Sequence, residues 1–251
     1  MEGIMLNEYY GELCTQIYET NKSIADGKEL DFFLSFVKDK KMKVLEPMCG
    51  NGRMLIPFME KGIDIEGFDI SEEMLRVCKL KGQKLNLKPN VSYGKIEEFK
   101  GDKSYELIMI PFGSFSLLPD ELAKDSLANM KTILEKDGKL LLTVMSNTGT
   151  VEDIPDWFET NRHYLDNKEI VEYKKVNYDQ GSKMLNTKLK YQLVKDGKIE
   201  KLEIMDFPIR LYESGEFESI LKTNGFDKII LHEVINGYGE GSSFHVFECV
   251  I

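Results

Sequence analysis

Hydrophobic and polar positions follow two different rhythms along this chain. Between residues 42 and 146, short apolar and β-branched runs alternate with stretches whose apolar positions recur every three to four residues. That alternation predicts strands at 43–46, 63–68, 91–93, 105–110 and 139–146, with helices at 53–61, 71–81 and 119–135. Ser71, followed by Glu72 and Glu73, suits a helix start. A serine oxygen accepts a bond from a free N–H there, and acids favour the positive end of the helix. Pro119 opens the next helix and Asp137-Gly138 closes it. Strands and helices in this order predict an α/β fold built on a doubly wound, mostly parallel sheet.

After Asn147 the rhythm changes. Leu185, Thr187, Leu189, Tyr191 and Leu193 alternate with Asn186, Lys188, Lys190 and Gln192, a period of two that predicts a strand with one buried face. Residues 169–178 are rich in Val and Tyr, and Asp196-Gly197 is a hairpin signal that returns the chain over 198–212. A helix at 214–223, a turn at Asn224-Gly225 and strands at 226–234 and 243–250 complete the pattern. Residues 5–37 read as mostly helical, with a break at Asp26-Gly27. The expected organisation has three parts. Residues 1–40 form an N-terminal helical cap, and 41–149 with 213–251 form the core. Residues 150–212 form an antiparallel β insertion that covers the pocket. The core sheet is expected to have seven strands, the last two antiparallel.

Charge and composition narrow the function classes. The net charge of −10 argues against a nucleic-acid surface, which normally shows a basic patch. The first ten residues lack a basic segment followed by an apolar run, so no signal peptide is expected, and no apolar stretch reaches the length of a membrane helix. Cys14, Cys49, Cys78 and Cys249 show no paired spacing, which points to a reduced, cytoplasmic compartment and no metal site.

The candidate chemistry lies in Val44-Leu45-Glu46-Pro47-Met48-Cys49-Gly50-Asn51-Gly52-Arg53. A strand ends in a carboxylate, two glycines open a helix, and the next strand ends in a second carboxylate at Gly67-Phe68-Asp69-Ile70-Ser71. Parallel α/β sheets hold nucleoside-bearing ligands in this way. Glycines let the backbone approach the ligand, and the second acid reaches ribose hydroxyls. A dinucleotide site would need a third glycine where Leu55 stands, and Glu46 would put negative charge beside a pyrophosphate.

Residues 44–76 resemble the class I S-adenosylmethionine (SAM)-dependent methyltransferases, and the order of elements is similar over about 42–250. The small-molecule type, including glycine/sarcosine and aminosugar N-methyltransferases, is the nearest in organisation. The resemblance implies a Rossmann-like core with SAM as cofactor and S-adenosylhomocysteine as product. It also implies methyl transfer by in-line displacement to nitrogen or oxygen of a small molecule. By the same resemblance, Cys49, Gly50 and Gly52 wrap the methionine part, Glu46 faces its ammonium or sulfonium side, and Asp69 with Ile70 meets the ribose. The backbone around Lys95 and Ile96, or Glu97, takes the adenine, Pro111 begins the loop beside the methyl group, and Tyr10 and Tyr18 fold over the cofactor. Two positions depart from the family pattern: Met48 replaces a usual glycine, and Lys95 stands where many members have an aspartate. Leu117 stands where the aminosugar type often has a histidine. Trp157, Phe158, His163 and Tyr164 are further pocket candidates, with His163 as a candidate base, since an unperturbed imidazole titrates near pH 6.5. No catalytic residue is assigned. Partners are expected to be a small-molecule acceptor in a monomer or homodimer, without nucleic acid or membrane. A protein or RNA methyltransferase and a non-catalytic SAM-binding protein are the alternatives.

Overall fold

Two sheets organise the chain in the computed structural model, which describes residues 5–6, 9–101, 104–147, 149, 151–165 and 167–251. Of the expected N-terminal cap, residues 1–4, 7 and 8 lie outside the described residues. In chain order the elements begin with β1 (Met5–Leu6), α1 (Glu12–Asn21), α2 (Gly27–Leu34), β2 (Val44–Pro47), α3 (Leu55–Glu60), β3 (Ile65–Asp69) and α4 (Glu72–Lys84). They continue with β4 (Asn90–Tyr93), β5 (Tyr105–Ile110), a short 3-10 turn (Ser114–Leu117), α5 (Asp120–Ile133) and β6 (Leu134–Leu142). β7 (Ile154–Leu165), β8 (Lys168–Asp179), β9 (Met184–Lys195) and β10 (Lys198–Arg210) follow, then α6 (Glu216–Thr223), β11 (Lys228–Val234) and β12 (Phe244–Val250).

The first sheet has seven strands in the order β11-β12-β6-β5-β2-β3-β4. Buried side chains cover both faces, as a parallel sheet requires. Phe33, Met54, Phe58 and Leu75 pack in one apolar cluster, and Phe115, Leu127, Met130 and Phe217 in another. β2 is buried at every position, so its carboxyl end is fixed in place. Ser71 caps α4 by accepting the Met74 N–H at 3.1 Å, as its position in the sequence predicts. The last two strands, β11 and β12, pair antiparallel as expected, and because β12 is also antiparallel to β6, β12 alone runs against the rest of this sheet. β6 starts earlier than the apolar run suggested, because Leu134 already pairs with Tyr105 across an irregularity in the ladder.

The second sheet has the order β1-β10-β9-β8-β7. β7 to β10 are antiparallel neighbours, and β7 is a strand that its polar sequence concealed. Met5–Leu6, expected as part of a helical segment, instead pairs in parallel with Glu203 and Ile204. One face of this sheet packs on α1 through Leu13, Cys14 and Ile17 against Ile170, Tyr191 and Met205. Glu203, only 1% exposed, accepts the free Leu13 N–H of the first turn of α1 at 2.9 Å. An acid placed there satisfies an orphan donor and the helix dipole together.

Candidate functional site

A cleft of about 680 Å³ opens where β2, β3 and β5 end. It falls within the size range of small-molecule sites. Open α/β sheets place ligands outside the carboxyl ends of their strands, and the loops here converge in that manner. Tyr10, Tyr18, Glu46, Cys49, Gly50, Asp69, Ile70, Ile96 and Pro111 all line it. Gly50 has φ +52 with nothing within 4 Å of where a Cβ would stand, so its backbone is open to a ligand.

Asp69 ties two turns together. Its Oδ2 accepts the Gly50 N–H and its Oδ1 the Ser71 N–H, both at 2.8 Å. Burial pushes its pKa up, while the N–H groups of Ser71, Gly50 and Ile70 pull it down. Each carboxylate oxygen carries a second lone pair, so the group retains acceptor capacity for vicinal hydroxyls. Glu46 is more isolated. It is 3% exposed, and its Oε2 has no hydrogen-bond partner. Burial raises its pKa well above the usual carboxylate range, opposed by the charge of Arg53 and by the Leu55 N–H. A buried carboxylate oxygen without a partner is unfavourable unless a cationic or donor group meets it.

Arg53 supplies the matching cation. Its Nη1 and Nη2 donate to the two Glu29 oxygens at 2.8 and 2.6 Å, while its buried Nε has no partner. Asn51, beside it in the loop, donates to Glu19 Oε2 at 2.7 Å, and Glu19 pairs with Lys81 at 2.9 Å. These bonds fix the loop to α1 and α4. Met48 and Phe112 both line the cleft in left-handed backbone geometry, at φ 57 and φ 61. For non-glycine residues that conformation costs about 1–3 kcal/mol, and such strain concentrates at functional sites. The side chain at Met48 is thus tolerated by adopting the very φ a glycine would favour.

Other predicted residues lie elsewhere. Gly52 does not line the cleft. At φ +75 it faces α4, where an added Cβ would stand 2.5 Å from Cys78 Sγ, so its role is a close helix approach. His163 borders a separate hollow of about 230 Å³ with Thr15, Glu19 and Val77. Trp157 stacks under Lys175 and Lys190 on the sheet, and Phe158 and Tyr164 are exposed. In their place β10 contributes Met205, Asp206, Phe207 and Pro208 to the wall, with Phe207 edge-on to Tyr10 at 6.0 Å. The alternation continuing through β10 was the available signal for them. Arg53, Phe112 and Asn51 were also missed as site residues, although two of them sit inside the quoted motif. Lys95 lines the cleft but pairs with Glu98 at 3.1 Å. Leu117 lines it as well.

A family model described as "Methyltransferase domain" matches residues 44–138. Residues 44–138 thus carry the pattern of a methyltransferase domain. Within this methyltransferase domain lie β2, the glycine loop, Asp69 and the Pro111-Phe112 loop. The chain is 32% identical over 114 residues to a tRNA (guanine(10)-N2)-dimethyltransferase of Pyrococcus abyssi, covering 42% of this chain and 34% of that protein. It is 28% identical over 123 residues to the putative methyltransferase YqeM of Bacillus subtilis, covering 47% and 48%. The chain therefore spans about a third to a half of these two relatives. Over nearly its whole length it shares its fold with a SAM-dependent methyltransferase from Clostridium acetobutylicum (TM-score 0.72, 18% identity, 94% and 96% covered). A second fold match is the sugar N-methyltransferase KedS8 from Streptoalloteichus sp. (TM-score 0.71, 14% identity, 100% and 95% covered). Among the described residues no helix is long and apolar enough to cross a membrane, and no group of His, Cys, Asp or Glu could hold a metal ion.

Proposed function

We propose that this protein transfers a methyl group from SAM to nitrogen or oxygen of a small molecule. The observation that carries the reading is a pair of orphaned buried atoms in one cleft, Glu46 Oε2 and Arg53 Nε. An α-amino-acid terminus carries one ammonium and one carboxylate, and such a terminus would satisfy both atoms together. Asp69 would take the ribose hydroxyls, Ile70 and Ile96 would flank the nucleoside, and Tyr10 and Tyr18 would cover it. When bound, SAM supplies an electrophilic methyl group on a sulfonium. The chain's own task is alignment and exclusion of water, which in well-oriented systems contributes about 7–11 kcal/mol. Pro111 and Phe112, after β5, and Met205 to Pro208, on β10, enclose the space left for an acceptor.

The acceptor class rests on that enclosure. A wall from β10 facing the loop after β5 suits a small molecule better than a nucleic-acid groove, and the sugar N-methyltransferase fold relatives support the same reading. A nucleic-acid acceptor is the second reading, favoured by the tRNA methyltransferase relative. Incubation with methyl-labelled SAM and fractionated extract tests the proposal. Label is expected in a low-molecular-weight fraction. Label in RNA or protein would favour the second reading, and no transfer to any fraction would leave a SAM-binding protein without catalysis.

A further inference from the structure

One buried guanidinium joins two walls of the cleft. Arg210 closes β10, two residues beyond Pro208, the last residue of that strand to line the cleft. Asp120 opens α5, between Pro119 and Leu122, which line a second wall. Arg210 Nε donates to Asp120 Oδ1 at 2.8 Å, and its Nη2 donates at 2.7 Å to Oε1 of Glu216, the first residue of α6. Its Nη1 donates to the Leu211 carbonyl, and the guanidinium lies 4.8 Å from the centre of the Tyr212 ring. The Arg210 side chain is 4% exposed, so these bonds are made away from water.

Each nitrogen of this group has an acceptor, in contrast with Arg53, whose Nε has none. Arg210 is therefore complete without a ligand, and what its bonds fix is the placement of elements. α5 and α6 pack with the seven-stranded sheet, whereas β10 belongs to the other sheet. Lys183 joins the network at 3.0 Å from Glu216, so two cations balance two carboxylates. Charges taken out of water return little net stability, and the larger effect of such a network is to favour one arrangement of the parts it joins. A lysine could not do the same, because its single ammonium lacks the planar fork that reaches two carboxylates through separate nitrogens. Just beyond, the Tyr212 N–H donates to the Met145 carbonyl and the Tyr212 carbonyl accepts the Asn147 N–H, both at 2.9 Å. The end of β10 is thus anchored beside the end of β6.

We propose that Arg210 is a positioning residue for the methyl acceptor: by clasping β10 to the start of α5, it sets the gap between the 205–208 wall and the 117–122 wall. The proposal rests on the methyl-transfer reading of the cleft. It separates two tasks within that cleft, since Glu46, Gly50 and Asp69 stand on the seven-stranded sheet and its loops and do not depend on the clasp. Loosening the clasp should therefore cost acceptor use and spare the cofactor.

The test measures initial rates of label transfer from methyl-labelled SAM against increasing amounts of the low-molecular-weight extract fraction, with calorimetry of S-adenosylhomocysteine on the same proteins. The variants are Asp120→Ala, Asp120→Glu, Arg210→Lys and Glu121→Ala. The Asp120 side chain is 60% exposed, so its truncation leaves the core intact. Glu121 is an acid of the same first turn that does not pair with Arg210, and its loss controls for charge at the helix start. Asp120→Ala and Arg210→Lys are expected to raise the half-saturating amount of the fraction about tenfold, within what an ångström-scale misplacement costs. Affinity for S-adenosylhomocysteine should be unchanged, Asp120→Glu should restore most of the loss, and Glu121→Ala should match the wild type. A general loss of stability would not move half-saturation while sparing the cofactor. Unchanged half-saturation in Asp120→Ala and Arg210→Lys, the same rise in Glu121→Ala, or an equal loss of cofactor affinity would overturn the role of Arg210 and leave the methyl-transfer reading intact. Failure of the wild type to label the low-molecular-weight fraction would overturn the small-molecule reading itself and the Arg210 role with it.

Discussion

The two sheets meet at one cleft and contribute to it by opposite means. The seven-stranded sheet contributes from strand ends. Glu46 stands on β2, Asp69 closes β3, and Pro111 and Phe112 follow β5. The five-stranded sheet contributes from within a strand. Among the described residues β1 pairs with Glu203 and Ile204, and Met205 to Pro208, next along β10, line the cleft. Strand ends are rigid, because β2 and β5 are buried in the middle of their sheet. The side chains of this segment of β10 can change without disturbing those ends. On the proposed reading, the arrangement would let one grip on the cofactor coexist with different acceptor walls, as expected for a fold that hosts many substrates.

That division can be broken at either sheet. The largest effect is expected for Asp69→Ala, which removes both backbone bonds holding the Gly50 and Ser71 turns as well as the proposed ribose contacts. Charged hydrogen bonds contribute about 1.5–3 kcal/mol, so S-adenosylhomocysteine affinity should fall about a hundredfold by calorimetry. An unchanged dissociation constant would detach β3 from cofactor binding. Gly52→Ala comes next. Its Cβ would press on Cys78 Sγ at positive φ, and thermal unfolding should show a loss of about 2 kcal/mol. A stability equal to wild type would mean that α4 does not approach the loop as closely as described.

Glu46→Gln should weaken S-adenosylhomocysteine about tenfold at neutral pH. Its signature is the pH dependence. Burial raises the Glu46 pKa in the free protein, and an ammonium beside it would draw that pKa down. Complex formation should then release a proton, and affinity should rise as pH increases through the raised pKa. The glutamine variant should lose this component, and an identical profile in both proteins would remove Glu46 from the ammonium role. The smallest effect is expected on the outward side of the second sheet. Trp157→Ala removes a ring stacked with Lys175 and Lys190, and cofactor affinity should stay within about twofold.

The same contrast explains what the sequence disclosed. Glu46, Gly50 and Asp69 were legible because each lies where a short apolar run stops, and their spacing is set by local strand–turn–helix geometry. Gly52 belongs to the same motif, yet its reason is packing on Cys78, a contact with a helix later in the chain. Arg53 was visible as a residue, but its free Nε depends on Glu29 taking the other two nitrogens. The β10 wall was hidden further. Which part of that strand faces the cleft depends on its register with Met5–Leu6, almost two hundred residues earlier. His163 and Trp157 looked suitable by residue type, but side-chain chemistry alone does not say which face of a sheet a strand presents.

The central claim is that one cleft holds the amino-acid terminus and the nucleoside of a single ligand. Titration of S-adenosylhomocysteine into the wild-type protein, followed by calorimetry, tests it most directly. The account predicts one-site binding with higher affinity than either 5′-methylthioadenosine or homocysteine alone, because each fragment would satisfy only part of the site. No heat of binding at millimolar ligand, or binding no tighter than that of the better fragment, would contradict it.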